Sequence, residues 1–485
     1  MKKGLWIILA IVVLAATYPG LAWYSGRTVE ARLKDYRERL LAQAPYITVA
    51  EHQYERGIYR SHETTTYEFG RALFGAIAAA GAASGKAKDL SDGLRVTVSS
   101  EIQHGPFPGF GPPALARIDT EFVMSESVRR ELAKAFGKRK PIEIVTRLEF
   151  GGGGATTVSS PTFASFPIGK GETLTWKGLT AHGEFGPDLV WMKMKATAPG
   201  AEVTSDGGES GSLEDIAFES NSELAFGDLY IGDAALSVRS LALTTGADAP
   251  GSGPKYVSMK GLEYGAKIGR KDDFLDVKGR LKLAALDVEP FAMSGLHYEV
   301  TLKHVHGPSV AEFIRAVRKS LAASPTGAEG AADSVFAKDG RRIGIEILKR
   351  DPEIVIDRIA FAMPEGDALL SGSVHLVGFA PADLDAPAAM AGLMRKIDAR
   401  LDVSIAEGLL AKLVAAGGGE RASALEQQVA ALEAQGYVTR ADGRLATHIE
   451  FRQGALTFNG KTFEPSSLTP PPAVPGKPAR DTTHT

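Results

Sequence analysis

Apolar and polar residues alternate strictly in short runs spread over most of this chain, and that period constrains its fold more than any other feature. Leu94, Val96 and Val98 alternate with polar neighbours, as do Ile142, Ile144 and Leu148, then Leu281 and Leu283, then Ile343, Ile345 and Ile347. Val374 and Leu376, then Leu401, Val403 and Ile405, then Ile449 and Phe451, continue the pattern. Successive side chains on a strand point to opposite faces, so each run describes a strand with one apolar and one polar face. Glycine-rich turns separate the runs, and no βαβ rhythm suggests a parallel nucleotide-binding sheet. A β-dominant α+β fold with a largely antiparallel sheet follows.

A loose internal similarity supports a long meander. Gly178-Leu179, Gly261-Leu262 and Gly295-Leu296 each open a strand-like segment, at spacings too unequal for a tight solenoid. Helical spacing appears in Val310, Phe313, Ile314, Val317 and Leu321, from Leu384 to Ile397, around Leu409 to Ala415, and from Ala422 to Gln435. These helices are expected to cover the sheet. Ala76 to Ser84, Gly151 to Gly154 and Ser324 to Ala332 read as loops or insertions, and Asn459-Gly460 as a hairpin turn.

The first residues bear on compartment. Gly4 to Trp23 is a nearly unbroken apolar run of the length that crosses a bilayer as a helix, preceded by Lys2 and Lys3. The positive-inside rule keeps those lysines cytoplasmic, and Tyr18, Trp23 and Tyr24 fall where an aromatic belt meets the outer interface. A cleaved signal peptide is the competing reading, with Leu5 to Ala16 as its apolar part and cleavage at Val13-Leu14-Ala15. After the run, Val29, Leu33, Tyr36 and Leu40 form an apolar stripe on a helix that ends before Pro45. The expected organisation is a transmembrane anchor over 1–25, a stalk helix over 26–45, an elongated β-rich body of one or two lobes over 46–464, and a proline-rich tail over 465–485. A chain of 485 residues exceeds one ordinary core, which is why an elongated or two-lobed body is expected.

Composition removes several functions. A formal net charge of −3 without a basic stripe sets nucleic acid aside. The absence of cysteine excludes thiolate nucleophiles, cysteine-ligated zinc, iron–sulfur clusters and disulfides. Histidines remain as suspects. His304 and His306 sit two apart on a strand-like run and would share a face, but no third ligand accompanies them and Gly307-Pro308 leads them into a turn. His104 is likewise followed by Gly105-Pro106, which reads as a strand end before a restrained turn. Without a nucleophile elbow, a phosphate-binding loop or a metalloprotease motif, no catalytic residue, metal ligand or cofactor is assigned.

Several segments together resemble one family: the apolar start, Tyr54-Glu55-Arg56-Gly57-Ile58-Tyr59-Arg60-Ser61, His104-Gly105-Pro106, Leu174-Thr175-Trp176-Lys177-Gly178-Leu179, Met363-Pro364-Glu365-Gly366, Gln435-Gly436-Tyr437-Val438, and the closing Gly454-Ala455-Leu456-Thr457-Phe458-Asn459-Gly460-Lys461. In this order they resemble the YdgA-type family of Gram-negative envelope proteins, defined by a domain of unknown function. The resemblance implies a single-pass inner-membrane protein whose body faces the periplasm, and it transfers no catalytic residues. The Ala/Gly-rich stretch after Phe74 and the proline-rich tail depart from it.

The expected function is a non-enzymatic binding or scaffolding module for an apolar envelope ligand such as lipid, because a long sheet with one apolar face must cover it, pair it or use it as a groove. The analogy is to AsmA-type lipid-conducting grooves, an architectural one. The alternatives are a structural protein acting through homo-oligomers or an envelope partner, and a hydrolase of envelope polymers.

Overall fold

A computed structural model describes residues 2–69, 94–169, 171–245, 255–289, 291–323, 331–384, 389–416 and 419–463, without side chains for 2–16, 320–323, 331–338, 384, 389–391, 416 and 419–424. Ala76 to Ser84, residues 324–330 and the tail over 465–485 lie outside the described residues.

The chain opens with one helix, α1 (Lys2–Gln43), which runs through Pro19 and across the expected boundary between anchor and stalk. It ends ahead of Pro45, whose ring disfavours helical geometry in the residue before it. Among the described residues no helix is long and apolar enough to cross a membrane. The side chains of the apolar run as far as Ala16 lie outside them.

The body is a single antiparallel sheet of 22 described strands. Its first part is β1 (Ile47–Arg56), β2 (Arg60–Phe69), β3 (Leu94–His104), β4 (Ala116–Phe122), β5 (Glu143–Leu148), β6 (Gly154–Ser160), β7 (Phe163–Pro167), β8 (Glu172–Trp176) and β9 (Leu179–Phe185). The long central strands are β10 (Trp191–Ser205), β11 (Ser210–Phe226), β12 (Leu229–Thr245), β13 (Lys255–Lys271), β14 (Phe274–Val288) and β15 (Phe291–His306). The last part is β16 (Glu353–Met363), β17 (Gly366–Leu376), β18 (Ile397–Ala406), β19 (Thr439–Ala441), β20 (Arg444–Arg452), β21 (Ala455–Phe458) and β22 (Lys461–Thr462). Neighbours in sequence are mostly neighbours in space. The departures are β6 pairing with β9, β8 and β9 sharing one edge of β10, and β18 pairing with β20.

The remaining described helices are α2 (Glu126–Phe136), α3 (Gly307–Ala323), α4 (Ala331–Leu348), α5 (Ala389–Met394), α6 (Glu407–Ala416) and α7 (Gly419–Ala434). Ser125 caps α2 by accepting from the Val128 amide, and Gly137 closes it at φ +65°.

Two sequence expectations are corrected here. Ile343, Ile345 and Ile347 are not a strand: they lie on α4, which pairs with α3 as a helical hairpin. Ile343 and Ile347 are also four apart, so these two satisfy both periods, and the fully buried Ile343 marks the helical one. Gly261-Leu262 and Gly295-Leu296 do not open strands but lie inside β13 and β15, where Gly261 (φ +63°) and Gly295 (φ +58°) interrupt the pairing. Only glycine takes such angles without strain, and a bulge lets a strand of this length bend.

Core packing is concentrated under helices. One cluster joins Val29 and Tyr36 of α1 to Ile102, Ala116, Ile118, Leu148 and Leu189. The second joins Ala311 of α3 to Leu229, Ile231 and Leu275, with Phe226, Ile268 and Val305 around it. The α3 and α6 helices meet the sheet at strand ends: Gly307 lies against the Phe226 ring and Gly408 against the Glu365 backbone. Among the described residues, these helices therefore cap the sheet at strand ends rather than cover it along its length.

Candidate functional site

Directly paired residues in an antiparallel sheet lie on the same face, so the register alone traces a line of side chains across it. From β5 that line runs Ile144, Val158, Ala181, Ala196, Phe218. It continues Leu236, Tyr264, Leu281, Tyr298. Ile359, Leu370 and Val403 complete it on β16, β17 and β18. Every member is apolar or aromatic. A parallel row on the same face runs through Val300, Ile356, Leu401, Ile449 and Phe458, broken by glycines at 279 and 372. The opposite face reads Lys193, Asn221, Asp233, Lys267 and Lys278 along the equivalent line. Nine strands, β10 to β18, at about 4.8 Å spacing make the central line roughly 38 Å long.

This apolar face is open in the middle. Tyr264 and Tyr298 are each 46% exposed, and Leu302 and Ile354 are about as accessible at 39% and 41%. Beside them on the same face Val238 and Leu283 are buried, so the exposed apolar surface is a patch around these four side chains.

At one end the same face is closed by α1. Ser61, Ile102 and Ile118 are directly paired across β2, β3 and β4, and α1 lies over them. The helix contributes Tyr18, Ala22, Gly26, Val29, Leu33 and Tyr36, which recur at three- and four-residue steps. The expected stripe thus packs through Tyr36, extends back to Tyr18, and leaves Leu40 exposed.

His104 is the seat of that helix. Its ring is 2% exposed, with Nδ1 2.9 Å from the Ala22 carbonyl oxygen and Nε2 3.0 Å from Ser61 Oγ. A carbonyl only accepts, so Nδ1 carries the proton and the neutral ring's Nε2 accepts from the Ser61 hydroxyl. Burial pushes the imidazole pKa below its usual value, against the opposing pull of the Ala22 carbonyl. A serine and a histidine at this distance have the geometry of a nucleophile and its base. Both are sealed beneath α1, however, with Ser61 only 3% exposed, so the pair locks the helix and meets no substrate. Gly26 passes directly over the ring: a Cβ there would stand 2.6 Å from Cε1.

The other ties to α1 come from the glycine run read as a loop. Tyr36 donates to the Gly152 carbonyl, and Arg32 donates to the carbonyls of Glu149 (3.0 Å) and Phe150 (3.1 Å). Gly152 takes φ +93°, and Gly154 already belongs to β6, where a Cβ would strike the Arg147 carbonyl. The Gly151–Gly154 turn is therefore a docking cradle. Arg37 pairs with Glu63 on β2, Glu30 with Arg56 on β1 (3.0 Å) and Arg39 with Asp188 (3.6 Å), adding ion pairs to the attachment.

The remaining suspects are structural. His304 and His306 lie on the face of Phe274, as expected, with His304 at φ +57° in a bulge opposite Asp276. Phe274 stacks on the His304 ring at 3.8 Å and meets His306 edge-on at 5.9 Å. His304 Nδ1 lies 2.7 Å from the Arg350 carbonyl, and His306 Nδ1 lies 2.8 Å from Ser309 Oγ. No group of three or more metal-ligating side chains is present among the described residues. Near the C-terminus, Asn459 at φ +50° accepts from the His448 amide (2.9 Å) and donates to the Tyr437 carbonyl (3.1 Å). Lys461 donates to the Gln435 carbonyl at 2.9 Å, closing the end of α7. Two segments distant in sequence, Gln435–Val438 and Gly454–Lys461, so form one clasp.

Four of the motifs quoted in the sequence thus meet in pairs, Tyr54–Ser61 with His104-Gly105-Pro106, and Gln435–Val438 with the closing turn. The model of a family described as "Bacterial protein of unknown function (DUF945)" matches residues 1–466. Protein YdgA of Escherichia coli (strain K12) is 22% identical over 517 residues, covering 95% of each chain. No solved structure matches. With the match extending from the first helix to the C-terminal clasp, this chain belongs to the bacterial family of unknown function DUF945.

Proposed function

We propose that this chain is anchored in the bacterial inner membrane by the start of α1, carries its body in the periplasm, and holds the acyl chains of envelope lipid along the open apolar face. One observation carries the reading: the face that α1 covers at one end continues through Ala116, Leu148, Gly154, Phe185 and Met192, beside the bonded Thr146–Thr156 pair, to the apolar line through Phe218, Tyr264 and Tyr298, whose two tyrosines are half-exposed. An anchor helix and a ligand track on the same face suit a protein that meets its ligand at the membrane. The line's length of roughly 38 Å, at about 4.8 Å per strand, accommodates acyl chains, each of which spans only about half of a ~30 Å bilayer core. Burying a methylene contributes about 0.8 kcal/mol, so about ten buried methylenes contribute roughly 8 kcal/mol toward retention.

The test is mass spectrometry of lipid retained by the full-length protein after mild detergent extraction, beside a variant with Leu236→Asp and Leu281→Asp on the track. Lipid near stoichiometry on the parent and its loss from a folded variant support the reading. A lipid-free, monodisperse parent overturns it, and a lipid-free parent that dimerises through this face assigns the face to a second copy instead.

A further inference from the structure

Around α1, just beyond the apolar run, exposed apolar side chains gather from three places far apart in sequence. Trp23 and Tyr24 lie on the helix, Ile58 and Tyr59 at the turn between β1 and β2, and Phe107 and Phe110 in the loop after β3. Tyr18 holds them at one level: its ring stacks on Tyr59 at 6.0 Å, and its hydroxyl lies 3.5 Å from the Phe107 carbonyl. The Arg56 guanidinium sits 5.8 Å over the Trp23 ring, and Gly105 lies against Ala22. Phe110 is the most telling. Its side chain is fully exposed and its backbone is held at φ +58°, a costly angle for a bulky residue that no packing among the described residues repays.

We infer that this cluster is a collar seated in the headgroup zone of the bilayer, so that the hairpin turn and the 105–111 loop touch the membrane beside the helix. The inference rests on reading Gly4 to Trp23 as a membrane span. From Gly4 to Leu21 the helix rises about 26 Å at 1.5 Å per residue, close to the ~30 Å of a hydrocarbon core, which brings Trp23 to the interface. Aromatic rings with one wet and one apolar end collect at that depth. The collar would also set the body's tilt, with the closed end of the apolar face against the membrane and the open line leading away from it.

The natural absence of cysteine makes the test direct. Single Ile58→Cys and Phe110→Cys variants of the full chain carry an environment-sensitive thiol label, with Asp442→Cys in the turn between β19 and β20 as the reference. Each is reconstituted into vesicles of phosphatidylethanolamine and phosphatidylglycerol and floated on a density gradient. Labels at 58 and 110 should be quenched several-fold more by lipid-borne nitroxide than the label at 442, and less by aqueous iodide. Labels at 58 and 110 that behave like the one at 442, on a chain that floats, overturn the collar while leaving the anchor standing. A chain that fails to float overturns the anchor and the collar with it.

Discussion

Replacing Gly26 by alanine sets helix propensity against packing at the seat of α1. Propensity alone favours the change by about 1 kcal/mol, since glycine is a poor helix former. The added Cβ, however, would lie 2.6 Å from His104 Cε1 and 2.9 Å from both ring nitrogens. Restoring ordinary contact requires the ring to move by about 1 Å. Such a shift breaks the bonds to the Ala22 carbonyl (2.9 Å) and to Ser61 Oγ (3.0 Å), both in a buried setting. Each buried polar group left unsatisfied costs about 1–3 kcal/mol, so the net loss is about 2 kcal/mol after the gain in propensity. Hydrogen exchange of the full chain in mild detergent reads this locally. Amides of α1 from Ala22 to Tyr36 should exchange roughly 30-fold faster, the equivalent of that free energy at 1.4 kcal/mol per decade. In a His104→Ala background the same change should become neutral or protective, because the obstructing ring is gone. Equal or slower exchange in the single variant refutes the claim that His104 seats the helix.

Acid should loosen the same junction. The folded state keeps the His104 pKa below its unfolded value near 6.5, so the unfolded chain takes up the proton first, and docking stability, full above that value, falls as pH drops below it. Exchange of α1 amides, corrected for intrinsic rates, should rise between about pH 7 and pH 5. That slope should vanish in His104→Gln. At the C-terminal clasp, Asn459→Ala should cost about 2–4 kcal/mol, from the lost bonds and a left-handed backbone angle that alanine resists. Asn459→Gly relieves only the angle and should remain clearly destabilised, both read by thermal melting. On the open face, Tyr264→Asp with Tyr298→Asp should leave melting within about 1 kcal/mol of the parent, because half-exposed positions tolerate polarity, while cutting retained lipid. A variant that keeps its lipid counts against the track.

Much of the sheet was legible because strand alternation is local. The runs at 94–98, 281–283, 401–405 and 449–451 are strands, and each carries its apolar face where the period places it. The run at 343–347 was misread for the same reason: two periods agree over five residues, and only the packing of α4 on α3 separates them. No local signal could show that Gly26 passes over His104, since the bond from the ring to the Ala22 carbonyl joins residues 82 positions apart. The glycines at 151–154 looked like a flexible turn because composition reports the freedom of a backbone and not its use as a cradle. Sequence by itself determined most of the strands, the apolar start and the family. Only the tertiary structure decided which apolar surfaces are closed and which stay open, because register lines up one strand's apolar face with the next over long separations, and whether a helix then covers that line depends on where the chain folds back.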